Sequence, residues 1–170
     1  MIANERLVSK VYFPRIVIPT SAMVVHFVDF LITCGIAVVL FAWKKYLPSW
    51  KIVFTPFFLI LSVMLGLGIS YFVASLNVKY RDFRYIVPFV VQAGMYLSPV
   101  GFSAASIPAR WQTVYALNPM VGVIEGMRWC LFGTPISGFA LCSSVVWSFI
   151  LLFLGFFMFR RMETEFADFI

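Results

Sequence analysis

Residues 77–133 read NVKYRDFRYIVPFVVQAGMYLSPVGFSAASIPARWQTVYALNPMVGVIEGMRWCLFG and interrupt the series of ordinary membrane-helix patterns. This stretch begins with a cluster of charges, continues with an apolar run broken by Pro and Gly, and ends with two short helical patterns on either side of Asn118-Pro119. The segments before and after it have the pattern of ordinary membrane-spanning helices. Because this stretch differs from an ordinary span, function should be sought in it.

The charged cluster at the start of the stretch predicts a loop at one membrane face, because such a cluster cannot lie in hydrocarbon. Its members are Lys79, Arg81, Asp82 and Arg84. Placing this loop on the same side as residues 1–15 and the tail from residue 160 gives that side eight Lys and Arg residues. The other side holds five, namely Lys44, Lys45, Lys51, Arg110 and Arg128. The excess predicts that the first side is cytoplasmic.

Residues 85–97 are predicted to form a helix that rises outward from this loop. Tyr85, Phe89, Gln92 and Tyr96 follow one another at i, i+4, i+7 and i+11, so they form a single stripe. Lipid cannot satisfy the polar groups of Tyr and Gln, so the stripe should face protein or a water-filled cavity. Lining of a pore and ordinary packing remain equally open.

Residues 98–133 are predicted to form a re-entrant hairpin that enters and leaves by the outer face. A short helix runs from Pro108 to about Leu117; Asn118 caps a second helix, Pro119–Phe132. Fourteen residues cover only about 21 Å, less than the bilayer core of about 30 Å. Broken backbone at membrane depth is tolerated only where protein or water covers it, which indicates a gate or cavity.

Glu125 and Arg128 are the charged residues of the second hairpin helix. They lie three positions apart, so they can pair across one helical turn. We expect the pair to hold the hairpin.

Composition places the whole chain in a membrane. Of its 170 residues, 62% are hydrophobic and 12% are charged, whereas a soluble domain is about half apolar and about a quarter charged. The net charge of +6 would suggest a nucleic-acid partner in a soluble protein, but here the basic residues flank apolar runs, so no nucleic acid is expected. The three cysteines, Cys34, Cys130 and Cys142, lie in apolar segments and form no C-x-x-C pair. We interpret them as small buried hydrophobic residues, and they predict neither a metal site nor a disulfide.

The predicted fold is therefore all-α, with four transmembrane helices, a surface helix and the hairpin. The spans are residues 16–43, 52–76, 85–97 and 138–159, followed by a cytoplasmic tail at 160–170. Residues 4–15 form the amphipathic surface helix, on which Arg6 and Lys10 lie apart from an apolar face that includes Tyr12. A surface anchor and a docking element for a cytosolic partner both remain open.

His26 and Asp29 are the ionisable residues of the first span. They lie three positions apart and share a face. Because Asp at this depth costs about 2.5–3.5 kcal/mol, the pair should face the bundle interior and a partner. A helix–helix hydrogen bond is favoured over a substrate or proton site.

Several motifs in order carry a resemblance to a known family. They are KVYFPR (10–15), HFVDF (26–30), VKYRDFRYIVPF (78–89), YLSPVGF (96–102) and YALNPMVGVIEGMRW (115–129). Together the chain resembles the membrane subunit of type-2 ABC exporters, and more narrowly the permeases that export lipid-linked O-antigen, capsule or teichoic-acid (polyol-phosphate) polysaccharide.

The resemblance implies a permease of the bacterial inner membrane that works as a homodimer among membrane lipids. It implies that Arg6, Lys10 and Tyr12 belong to a coupling helix that touches a separate ABC ATPase subunit. It also implies that the hairpin residues Asn118, Pro119, Glu125 and Arg128 form an outer gate, and that the aromatic stripe lines the path of the lipid-linked polysaccharide. Family members carry further spans before the coupling helix, so the chain is expected to be a fragment or a truncated product.

No catalytic residue, metal or cofactor is expected in this chain. It contains no G-x-x-x-x-G-K-[ST] phosphate loop, so ATP would be used by the partner subunit. Two other functional classes make different demands on the sequence. An ion-coupled secondary transporter fragment would use His26 and Asp29 as a proton relay, but the chain shows no inverted repeat. A lipid-sugar transferase would need paired acids at one membrane face, and only Asp82 comes close.

Overall fold

The computed structural model describes residues 17–47, 49–80 and 82–163, which fold into helices and turns without a strand. The helices in chain order are α1 (Val17–Trp43), a 3-10 helix (Trp50–Phe54), α2 (Thr55–Lys79), α3 (Phe83–Leu97), a second 3-10 helix (Ala104–Ser106), α4 (Ala109–Tyr115), α5 (Pro119–Phe132) and α6 (Gly138–Glu163). The all-α prediction is confirmed.

Helices α2 and α6 form the most extensive contact between any two elements described. They begin at the same end of the bundle, since Leu61 and Leu65 of α2 share a cluster with Leu141, while Tyr71 lies 5.7 Å from Phe159 between ring centroids. Small residues let the two backbones approach, because a Cβ at Gly155 would meet the carbonyl oxygen of Gly68. Close approach of two helices through small residues is typical of helix packing in membranes.

Within the described residues, three helices are long and apolar enough to cross a membrane: Val24–Trp43, Trp50–Asn77 and Gly138–Met162. Helix α3, predicted as a fourth span, has 15 residues and a length of about 22 Å, short of a hydrocarbon core of about 30 Å. Two spans differ slightly from their predicted bounds. The second predicted span, residues 52–76, begins as a 3-10 helix that precedes α2, and the last, residues 138–159, is α6, which continues four residues past Phe159, to Glu163.

Helix α5 packs against both α2 and α6 and completes the core. Val123 and Cys130 of α5 are buried with Phe58, Leu61 and Leu65 of α2. At Gly126 a Cβ would overlap the ring of Phe58, so α5 also approaches α2 through a glycine.

Helix α1 is the least covered of the long helices. It touches α2 to a small extent, and none of the Val24–Trp43 window is buried. Of the cysteines predicted to be small buried hydrophobes, Cys130 is buried, but Cys34 on α1 is half-buried and Cys142 on α6 is exposed. For those two residues the burial prediction is wrong, since α1 is largely uncovered and Cys142 lies on a face of α6 that no described helix covers.

Candidate functional site

The turn between α4 and α5 lies against the second turn of α6. Ser144 donates a hydrogen bond of 2.6 Å to the carbonyl oxygen of Pro119, and Ser143 donates one of 3.4 Å to that of Leu117. These serines follow Gly138 by five and six residues, which places the turn about 8–9 Å below the start of α6. The polypeptide therefore reaches into the bundle at this turn.

Helix α5 returns from this turn toward the end where α2 and α6 begin. Its last turn lies beside the start of α2, with the rings of Trp129 and Phe54 5.7 Å apart. Gly133 ends the helix in the left-handed conformation, at φ 72°, as the sequence predicts for a glycine at this position.

The side chain of Asn118 joins the start of α5 to the end of α3. Its side-chain oxygen accepts a 3.0 Å hydrogen bond from the backbone of Met120, which confirms the predicted cap. Its amide nitrogen donates to the carbonyl oxygen of Leu97 at 3.1 Å and to the Ser98 hydroxyl at 3.4 Å. Helix α3 therefore ends where the hairpin turns.

Glu125 and Arg128 of α5, which we call the clamp, hold the chain that follows α3. Their ion pair is 3.0 Å long. Arg128 also donates to the carbonyl oxygens of Phe102 and Val100, at 2.6 and 3.0 Å, and Glu125 accepts from the backbone of Ala104 at 2.8 Å. The pairing expected from the sequence is present, and together the two side chains fix the 100–104 loop (residues 100–104) onto α5.

The clamp is shielded from solvent. The exposed fraction is 8% for the Glu125 side chain and 24% for that of Arg128, so each charge depends on its partner and on hydrogen bonds for stabilisation. Tyr115 lies beside the loop, with its ring 6.2 Å from that of Phe102.

The predicted stripe lies on α3 and is exposed along its length. The exposed fractions of Tyr85, Phe89 and Tyr96 are 75%, 74% and 69%, and Gln92 is exposed as well. No helix among the described residues covers this face. The role of the stripe stays a prediction.

His26 and Asp29 do not face the interior of the described bundle. Their side chains are 77% and 69% exposed, with Nδ1 of the histidine 3.9 Å from a carboxylate oxygen of Asp29. The expectation that the pair points inward is wrong for this chain. Because Asp is costly in lipid, the pair needs a partner, but no described helix covers these two side chains.

The other predicted site residues fall outside the described part of the chain. These are Arg6, Lys10 and Tyr12 of the predicted coupling helix.

The sequence analysis did not identify the groups outside α4 and α5 that form hydrogen bonds with the hairpin. These are the hydroxyls of Ser143 and Ser144 and the backbone carbonyls of residues 100 and 102. Small polar residues within a span often mark interhelical hydrogen bonds, so the serine pair carried a usable signal. The carbonyls carried none, since every residue has one.

Comparison with known families identifies the family of the chain. The family model described as ABC-2 type transporter matches residues 2–132, which cover the predicted coupling segment, α1 to α4 and α5 to its last residue. The chain belongs to the ABC-2 type transporter family.

Three curated relatives of this ABC-2 chain carry the name O-antigen export system permease protein RfbA. One, from Myxococcus xanthus, is 28% identical over 124 residues, which cover 72% of this chain and 48% of the relative. Two from Klebsiella pneumoniae are 26% and 27% identical over 171 and 169 residues, each covering 98% of this chain and 65% of the relative. The chain thus spans about half to two thirds of the length of these relatives.

Proposed function

We propose that this ABC-2 chain belongs to the permease subunit of an ATP-driven exporter that moves lipid-linked polysaccharide from the cytoplasm to the outer side of the inner membrane. One observation carries the proposal beyond the family. A short helix with an exposed aromatic stripe ends beneath a hairpin that an ion pair holds in place. The names of the three RfbA relatives support O-antigen or a similar glycan as the cargo.

The stripe on α3 is the proposed wall of the path. Flat aromatic faces can stack on sugar rings without demanding one particular linkage, which suits a polymer that must slide past. In the proposed homodimer, a second copy supplies the opposite wall. The exposure of Tyr85, Phe89 and Tyr96 supports this, because lipid would leave the phenolic hydroxyls without hydrogen bonds.

The hairpin α4–α5 is the proposed outer gate. The depth of its turn beside Ser143 and Ser144 and the return of α5 toward the start of α2 support entry and exit by the same face. With α3 ending at Asn118, the hairpin fills the part of the membrane that α3 does not reach. Release of the 100–104 loop from the clamp would then open the path.

Coupling to ATP is proposed to occur at the surface helix, residues 4–15. Replacing Arg6 and Lys10 by glutamate is expected to abolish co-purification of the ATPase subunit and display of polysaccharide on the cell, because reversed charges repel the surface that the helix docks on. The measurement is affinity purification of the tagged permease from cells that express both subunits, together with immunodetection of surface glycan.

The matched control is Arg110→Glu, which reverses a charge on the opposite membrane face and should leave co-purification intact. A complex that survives the Arg6 and Lys10 reversal contradicts the docking assignment. Transport in vesicles that follows a proton gradient without nucleotide would contradict ATP coupling and favour the His26–Asp29 relay.

A further inference from the structure

The turn between α1 and α2 carries three lysines that take no part in the clamp. Lys44 and Lys45 are exposed and follow the last residue of α1, and Lys51 is half-buried in the 3-10 helix. The charge count places this turn on the outer face, where Lys and Arg are disfavoured. Three lysines within eight positions on that face therefore need an explanation.

This turn is folded against the C-terminal end of α5. The Tyr46 hydroxyl donates a 3.0 Å hydrogen bond to the carbonyl oxygen of Leu131, and the rings of Phe41 and Tyr46 lie 6.0 and 6.1 Å from that of Phe132. The ammonium group of Lys51 lies 4.9 Å from the ring centre of Trp129. Both ends of the turn are thus fixed to the same helix, and the lysines are held on an ordered surface.

Lys45 adopts a left-handed backbone conformation, with φ 51°. Glycine or asparagine adopts this conformation more readily than a residue with a long side chain. The backbone conformation at position 45 would therefore favour glycine or asparagine. A role for the positive charge explains why a lysine occupies the position instead.

No described carboxylate forms an ion pair with these lysines. The ion pairs within the described residues are those of His26 with Asp29 and of Arg128 with Glu125. The turn therefore presents an uncompensated positive charge. Around it, Trp43, Leu47 and Trp50 are 80%, 90% and 70% exposed, which is typical of side chains that insert at headgroup level.

We propose that the basic turn, made of Lys44, Lys45 and Lys51 with Trp43 and Trp50, binds the phosphate headgroups of anionic membrane lipids on the outer face. The lysines supply point charges for phosphate, and the indole rings supply apolar surface for the adjacent acyl chains. Lipid binding at this turn does not involve the exported cargo. A negative result for the lipid site would therefore not contradict the proposed export function, and a negative result for export would not contradict the lipid site.

The test uses the full chain reconstituted in phosphatidylcholine nanodiscs that contain brominated phosphatidylglycerol, with Trp111, Trp129 and Trp147 replaced by phenylalanine. Quenching of the remaining Trp43 and Trp50 then reports the lipid beside the turn. Three lysines at the surface predict a preference for the anionic lipid of up to roughly 100-fold. Lys44→Gln/Lys45→Gln/Lys51→Gln should reduce it to that of the bulk mixture, and the three Lys→Arg changes should preserve it.

Two controls separate charge from folding and from position. Lys45→Gly removes one charge and suits the left-handed backbone, so it should weaken the preference about fivefold in a chain that folds at least as well. Arg160→Gln/Arg161→Gln changes the opposite face and should leave quenching unchanged. An anionic preference that persists in the triple Gln variant would overturn the proposal, and loss of the preference on adding inorganic phosphate would assign the site to free phosphate instead of lipid.

Discussion

Replacing Arg128 by glutamine is expected to destabilise the protein by about 3–5 kcal/mol, because it leaves a buried carboxylate without its partner. The Glu125 side chain is 8% exposed, so water could not replace the lost partner. The carbonyls of Val100 and Phe102 would lose their donor at the same time. Release of the 100–104 loop from α5 should also abolish export, since the proposed gate would no longer close.

The measurement is thermal unfolding in detergent or nanodiscs, with Arg110→Gln as the matched control. Arg110 is exposed on α4 of the same hairpin, and its loss should change stability by no more than about 0.5 kcal/mol. Arg128→Lys should recover part of the loss, because it keeps the charge but not the planar group that reaches three acceptors. Glu125→Gln/Arg128→Gln should cost less than the two single changes added together. Equal unfolding of the Arg128→Gln and Arg110→Gln proteins would contradict the role of the clamp.

Replacing Gly155 by leucine is expected to separate α2 from α6 and to leave little folded protein. The first added carbon would meet the carbonyl oxygen of Gly68, a backbone atom that cannot rotate away. Overpacking a core usually costs about 1–3 kcal/mol, and backbone-to-backbone overlap puts this case above that range. Gly155→Ala should already lower the unfolding temperature.

The control for this change is Gly35→Leu on α1, where an added carbon meets no atom within 4 Å. The yield of monodisperse protein on size exclusion and the unfolding temperature both report the outcome. If Gly155→Leu and Gly35→Leu behave alike, the contact of α2 with α6 is not what holds the bundle.

The bounds of α5 could be predicted because their signals are local. Asn118, Pro119 and Gly133 act on the backbone beside them, and the observed bounds of α5 agree with the prediction at both ends. Glu125 and Arg128 could be paired for the same reason. Their additional partners in the 100–104 loop lie 21 to 28 residues away in sequence, and no spacing rule reaches that far.

Predictions about which way a face points were less successful. The polar pair of α1 was expected to point inward because lipid penalises charge, but that penalty does not say which molecule covers the pair. The end of α3 could be predicted from the Ser98-Pro99 break. What could not be predicted is that this short helix ends against the hairpin turn, because that contact joins residues about 20 positions apart.

The hairpin is expected to enter and leave the membrane by one face, and labelling of single cysteines measures this. In a chain whose native cysteines are replaced by alanine, single cysteines at Arg110 and Ser137 flank the hairpin helices, and one at Arg84 marks the opposite face. A membrane-impermeant maleimide added to intact cells should label positions 110 and 137 and should label position 84 only after permeabilisation. Labelling of 110 and 137 from opposite sides of the membrane would contradict the hairpin and make α4–α5 an ordinary span.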